Sequence, residues 1–121
     1  MTPTESELEI LQILWEKEPA TVRAIHDELI KKRDIGYTTT LKQFQRMTEK
    51  GMLEKIDAGK AHEYNTLVKP ASIQKGMFDK LLNTVFNGST SELLMHALGN
   101  SETTEAELKE LEAFLKKKKK E

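Results

Sequence analysis

Projecting residues 37–50 as a helix, at about 100° per residue, gathers Thr39, Lys42, Gln43, Arg46 and Lys50 into an arc of about 100°. Tyr37, Leu41, Phe44 and Thr48 occupy the opposite side. Arginine and lysine can donate to guanine O6 and N7, glutamine can pair with adenine, and threonine can contact a phosphate or a thymine methyl. Thr38, next to the arc, belongs to the same candidate set. A basic polar face is by default the solvated side of an amphipathic helix. The elements around it decide which reading holds here.

Thr4 with Glu7 has the spacing of a capping box, and Leu8, Ile10, Leu11, Ile13, Leu14 and Trp15 follow, so a first helix is expected to about Glu16. Its apolar side chains cover more than half the circumference, which calls for two packing neighbours. Pro19 breaks the pattern. Thr21 is a candidate cap for a second helix striped by Val22, Ile25, Leu29 and Ile30 and ending in Lys31-Lys32-Arg33. After the short Asp34-Ile35-Gly36 connection comes the helix of the candidate face, stopped by Gly51. The second helix of such a tight pair enters the major groove in helix-turn-helix proteins, and this favours the DNA reading.

Residues 52–56 and 61–65 read as two short strands around Asp57-Ala58-Gly59-Lys60, a small wing with Lys60 at its tip. A cation there can reach a phosphate or the minor groove, or be a solvated turn lysine. Beyond Pro70, three amphipathic helices are expected. The first carries Ile73, Met77, Leu81, Leu82, Val85 and Phe86 and stops at Asn87-Gly88. Ser89 or Ser91 caps the next, which holds Leu93, Leu94, Ala97 and Leu98 and stops at Gly99-Asn100. Thr104 and Glu107 form a second capping box before Leu108, Leu111, Phe114 and Leu115, with the Lys116 to Lys120 run a frayed, solubilising end. The expected fold is mainly α with a small β-hairpin: a winged helix-turn-helix domain over residues 1–69, then a helical dimerisation domain over 70–121. Three such helices make a thin core alone, and pairing with a second copy is the economical remedy.

The chain has 121 residues, 19 Lys and Arg against 20 Asp and Glu, and a formal charge of −1. It has no cysteine, which excludes disulfides, thiolate metal sites and a cysteine nucleophile. No apolar run approaches a membrane span and no secretory pattern opens the chain, so no membrane insertion and a cytoplasmic location are expected. The near-neutral total hides an uneven distribution: residues 31–60 hold eight basic and four acidic side chains, whereas residues 1–30 hold two basic and seven acidic ones.

The helix from Thr4 to Trp15, Tyr37-Thr38-Thr39, Glu49-Lys50-Gly51-Met52-Leu53, Gly59-Lys60-Ala61 and Phe86-Asn87-Gly88-Ser89, taken in order, resemble the penicillinase and methicillin-resistance repressor family, BlaI/MecI. The resemblance runs from about Thr4 to Leu115. It implies an N-terminal winged helix, a C-terminal three-helix dimerisation domain, and homodimers that repress by binding inverted-repeat double-stranded DNA operators. The dimerisation set would include Leu81, Leu82, Val85, Phe86, Leu94, Leu98, Leu108, Leu111 and Leu115. It further implies relief of repression by a membrane sensor with a cytoplasmic metallopeptidase domain that cuts the dimerisation domain. The family's best-known cleavage bond joins Asn to Phe, and His96-Ala97 stand at the matching positions. Copper-responsive relatives carry a C-terminal cysteine cluster that this chain lacks. His62 stands where the family's wing usually has an aromatic.

An enzyme is not expected. His26, His62 and His96 are scattered without metal-ligand spacing, and there is no nucleophile motif or glycine-rich phosphate loop. No cofactor or metal is implied. The rival readings are a winged-helix module that uses its third helix on protein, and a repressor that senses a small ligand between its domains.

Overall fold

The computed structural model describes residues 2–59, 61–100 and 102–121. The element order is α1 (Glu5–Lys17), α2 (Val22–Leu29), α3 (Tyr37–Glu49), β1 (Leu53–Ala58), β2 (Ala61–Thr66), α4 (Pro70–Thr84), α5 (Thr90–Asn100) and α6 (Glu105–Lys119). The chain divides into two compact units, Met1–Phe78 and Asp79–Glu121. That division falls inside α4, later than the Pro70 boundary expected from the sequence. Ile73, in the part of α4 that belongs to the first unit, is buried.

Local signals in the sequence account for several helix ends. At α1, Thr4 Oγ1 accepts from the Glu7 backbone N–H at 3.2 Å, and Glu7 Oε1 accepts from the Thr4 N–H at 2.9 Å. Thr21 Oγ1 caps α2 by accepting from the Ala24 N–H, and Ser89 Oγ does the same for the Glu92 N–H in α5. α3 ends in a Schellman motif. Gly51, at φ 83°, turns the chain so that the Met52 N–H reaches the Met47 carbonyl and the Gly51 N–H reaches the Thr48 carbonyl. Met47 and Met52 are both buried beside that turn. α6 differs from expectation, since it runs through the lysines to Lys119. Cations in the last turn suit the negative end of the helix dipole.

In the first unit, Ile10, Leu11 and Leu14 of α1 pack with Ile25 and Leu29 of α2, Phe44 and Met47 of α3, and Met52, Leu53 and Tyr64 around the hairpin. Ile30, placed on the α2 stripe by its spacing, is the C-cap of α2 and is exposed. The strands pair antiparallel, with Ala58 opposite Ala61. β1 starts one residue later than expected and takes in Asp57 and Ala58, read from the sequence as turn, and β2 runs on to Thr66. A short bridge that the sequence did not suggest ties the hairpin to the α1–α2 connection, with Ala20 and Tyr64 exchanging both backbone hydrogen bonds at 3.2 and 2.8 Å. Trp15 Nε1 donates to the Val68 carbonyl at 3.0 Å, pinning the segment that leads into α4.

The second unit is built differently. Among its described residues no side chain is buried, and Leu81, Val85, Leu94, Leu98, Leu108, Leu111 and Leu115 are all exposed. Leu82 and Phe86 are half-buried.

Phe44 is fully buried and meets the Tyr64 ring edge-on, with centroids 5.0 Å apart. Phe44→Ala is therefore expected to destabilise the first unit by about 3–5 kcal/mol. Urea unfolding followed by Trp15 fluorescence measures this, and an unchanged midpoint would contradict the packing of α3 on the hairpin.

Candidate nucleic-acid interface

Helix α3 is held by what it buries. Phe44, Met47 and Thr40 are fully buried, while Tyr37, Leu41 and Thr48 are half-buried. Thr40 was not a core candidate by hydrophobicity. Its Oγ1 lies 2.9 Å from Nδ1 of His26, which is also buried, and 3.5 Å from the Gly36 carbonyl oxygen. The His26 and Tyr37 rings meet nearly perpendicular, with centroids 5.4 Å apart. His26 is thus a satisfied core histidine that joins α2 to α3 by a polar contact, and such a contact has a narrower geometry than apolar packing.

The opposite face carries most of the predicted set. Thr38, Thr39, Lys42 and Arg46 are exposed, and neither cation makes an ion pair among the described residues. Two members stand apart. Lys50 is exposed, but its Nζ lies 2.6 Å from Glu7 Oε2 on α1. Gln43 is half-buried, and its Oε1 is enclosed with no hydrogen-bond partner among the described residues. It lies on the flank of the arc nearest Met47, which explains why its amide is withdrawn. Gln45, on the other flank, is exposed and was missed by the projection. The two glutamines, two residues apart, point to nearly opposite sides of α3. Lys60 lies outside the described residues.

Other acidic residues near the head are also engaged. Arg33, in the α2–α3 connection, meets Glu9 of α1 at 3.0 Å, and Glu28 accepts from Lys17 at 2.9 Å and Lys31 at 3.1 Å. The acidic start and the basic middle of the chain therefore cancel partly by direct contact. Among the described residues no group of three or more His, Cys, Asp or Glu side chains could hold a metal ion, and no helix is long and apolar enough to cross a membrane. In the second unit, His96 and Ala97 are both exposed within α5, and His96 lies near the Phe86 ring at 5.9 Å between centroids.

The Glu7 carboxyl reports on the α1–α3 tie. Burial pushes its pKa up, but the hydrogen bonds from Lys50 and from the Thr4 backbone, with the Lys50 charge, outweigh burial and leave it below the ordinary carboxylate value. A carboxyl depressed in the folded state contributes stability at neutral pH, and that contribution is lost as pH falls through its folded-state pKa. Glu7→Gln should therefore be less stable than the parent chain at neutral pH, with the gap closing in acid. Denaturant midpoints across a pH series measure the difference, and a gap independent of pH would remove the pair from the account of stability.

Comparisons with known proteins agree with this geometry. The sequence profile of the family described as penicillinase repressor matches residues 3–117. The transcriptional regulator BlaI of Mycobacterium tuberculosis is 32% identical over 111 residues, covering 86% of this chain and 80% of that protein. The methicillin resistance regulatory protein MecI of Mammaliicoccus sciuri is 25% identical, covering 95% of this chain and 94% of its own length. The penicillinase repressor of Bacillus licheniformis is 23% identical, covering 96% and 91%. Among solved structures, a MarR family protein from Bacillus stearothermophilus superposes with a TM-score of 0.58 at 18% identity, covering 99% of this chain and 75% of that one. At that identity the likeness concerns the winged-helix fold alone.

Proposed function

The chain belongs to the penicillinase repressor family, and on that premise we propose that it is a sequence-specific transcriptional repressor that binds double-stranded operator DNA as a homodimer. The observation that carries this reading is the two-sidedness of α3. Phe44 and Met47 hold one side in the core, and Thr38, Thr39, Lys42 and Arg46 stand bare on the other. Lys42 and Arg46 supply donors for guanine edges, the threonines contact phosphates or thymine methyls, and Lys60 serves the wing tip. Gln43, whose amide oxygen is enclosed, drops out of the base-reading set, and Lys50 acts mainly through its pair with Glu7.

Two heads are needed to read an inverted repeat, and the second unit supplies the means of joining them. Its helices expose Leu81, Val85, Leu94, Leu98, Leu108, Leu111 and Leu115, with Leu82 and Phe86 at the margin. A stripe of that size is suited to a second copy rather than to water. Relief of repression by a membrane sensor metallopeptidase belongs to the same reading. A cut between His96 and Ala97 would detach α6 and part of α5 from the paired helices. The protein would then act in the cytoplasm, where operator and protease domain are both accessible. A protein-binding use of α3 is disfavoured because Lys42 and Arg46, not apolar side chains, dominate the bare face.

Selection from random duplexes should enrich an inverted repeat with half-sites about one helical turn apart. Enrichment of no sequence at all would overturn the reading. On the selected duplex, Arg46→Ala should lose about 1–3 kcal/mol of discrimination against other sequences; equal weakening on selected and random DNA would make Arg46 a phosphate contact. Leu111→Asp should sediment as a monomer at concentrations where the parent chain is a dimer, and a dimer unaffected by it would place the interface elsewhere.

A further inference from the structure

One groove of the first unit lies outside the base-facing arc of α3 and collects donors from three other elements. It encloses about 410 Å³ between the start of α2, α3 and the hairpin, and Arg23, Tyr37, Gln45, Lys55 and His62 are among the residues that line it. Arg23 comes from α2, Lys55 from β1 and His62 from β2. No lining residue is acidic, although the chain holds 20 Asp and Glu side chains. Asp57 stands next to His62, with Oδ1 3.6 Å from Nδ1, but does not line the groove.

The Arg23 guanidinium carbon lies 4.0 Å over the Tyr37 ring centroid. Stacking engages one flat face of the guanidinium and leaves its N–H donors, which lie in its plane, free for an acceptor. Neither Arg23 nor Lys55 makes an ion pair among the described residues, in contrast to Lys17, Lys31, Arg33 and Lys50. Cations brought together without a counter-charge repel one another, and an anion relieves that repulsion. The groove's α3 wall includes Gln45, on the flank of the same exposed face that carries Lys42 and Arg46. A DNA strand whose base edges meet that face therefore has its backbone beside the groove.

We propose that this groove seats the phosphodiester backbone of one operator strand, with Arg23, Lys55 and His62 as sequence-independent phosphate donors. The proposal rests on the DNA-binding reading above and adds residues outside the recognition helix. Lys55 and His62 make the hairpin a clamp along its length, and not at its tip alone. Arg23, pre-positioned by Tyr37, loses little side-chain freedom when it takes up a phosphate.

The test uses the full chain on the selected operator and on a random duplex, with Arg23→Gln, Lys55→Gln and Arg23→Lys. Each phosphate contact contributes about −0.9 to the slope of log K against log salt, so removing one charge per protomer should flatten the dimer's slope by about two. Affinity should fall by the same factor on both duplexes, and Arg23→Lys should restore the slope. Trp15 fluorescence checks that each variant is folded, and Lys55→Gln, whose side chain has no stacking partner to lose, decides the matter if Arg23→Gln unfolds. Unchanged slopes in folded variants, with a steep slope in the parent chain, would overturn the groove assignment alone. A change in the operator-to-random ratio would overturn it too, since the groove residues would then be reading bases. A parent chain that binds neither duplex would overturn the DNA reading itself.

Discussion

Helix α3 must be buried along one side and bare along the other, and most of the first unit serves that requirement. Apolar packing through Phe44 and Met47 provides the bulk of the hold, but apolar contact is non-directional and would tolerate rotation about the helix axis. Two polar contacts remove that freedom. His26 meets Thr40 at 2.9 Å near the start of the helix, and Glu7 meets Lys50 at 2.6 Å at its end. The Schellman turn at Gly51 then sends the chain directly into the hairpin, so the orientation of α3 also sets the position of the wing. A side chain that reads bases must be held to within a fraction of an ångström, and this set of contacts is suited to that demand.

The same contacts organise the charge. Glu7, Glu9 and Glu28 draw Lys50, Arg33, Lys17 and Lys31 into pairs within the head. The solvent-accessible pairs made by Glu9 and Glu28 contribute little to stability. Their larger effect is to cancel positive potential where a nucleic acid would gain nothing from it, leaving Lys42, Arg46, Arg23 and Lys55 without acidic partners among the described residues. A chain with a formal charge of −1 can thus present a locally cationic surface.

The second unit presents the complementary problem. Its helices have caps and regular apolar stripes, yet among the described residues no side chain is buried within one chain. Local signals are enough to shape the helices, through Ser89 at α5 and the Thr104–Glu107 box at α6. They are not enough to bury the stripe, because three short helices present more apolar surface than they can cover for one another. The apolar stripe of this half therefore stays uncovered within one chain, whereas the first unit carries its own core.

Element types and order were legible in the sequence because they rest on short-range physics. The capping boxes, Pro19, Gly51 and the 3.6-residue apolar period act within a few residues, and the helices and hairpin form where those signals stand. The family resemblance read from the ordered motifs was also present in the chain itself, and the matched profile agrees with it. What needed the tertiary structure was every feature set by residues distant in the chain. The Ala20–Tyr64 bridge, the buried His26–Thr40 joint and the Glu7–Lys50 pair connect positions whose separation follows from packing and not from period. Two glutamines show the difference most clearly. Gln43 projects onto the polar arc and Gln45 next to the apolar Leu41, yet the neighbours of α3 enclose the amide oxygen of the first and leave the side chain of the second exposed. A helical projection assigns each residue an angle; only the packed neighbours decide which angles face solvent.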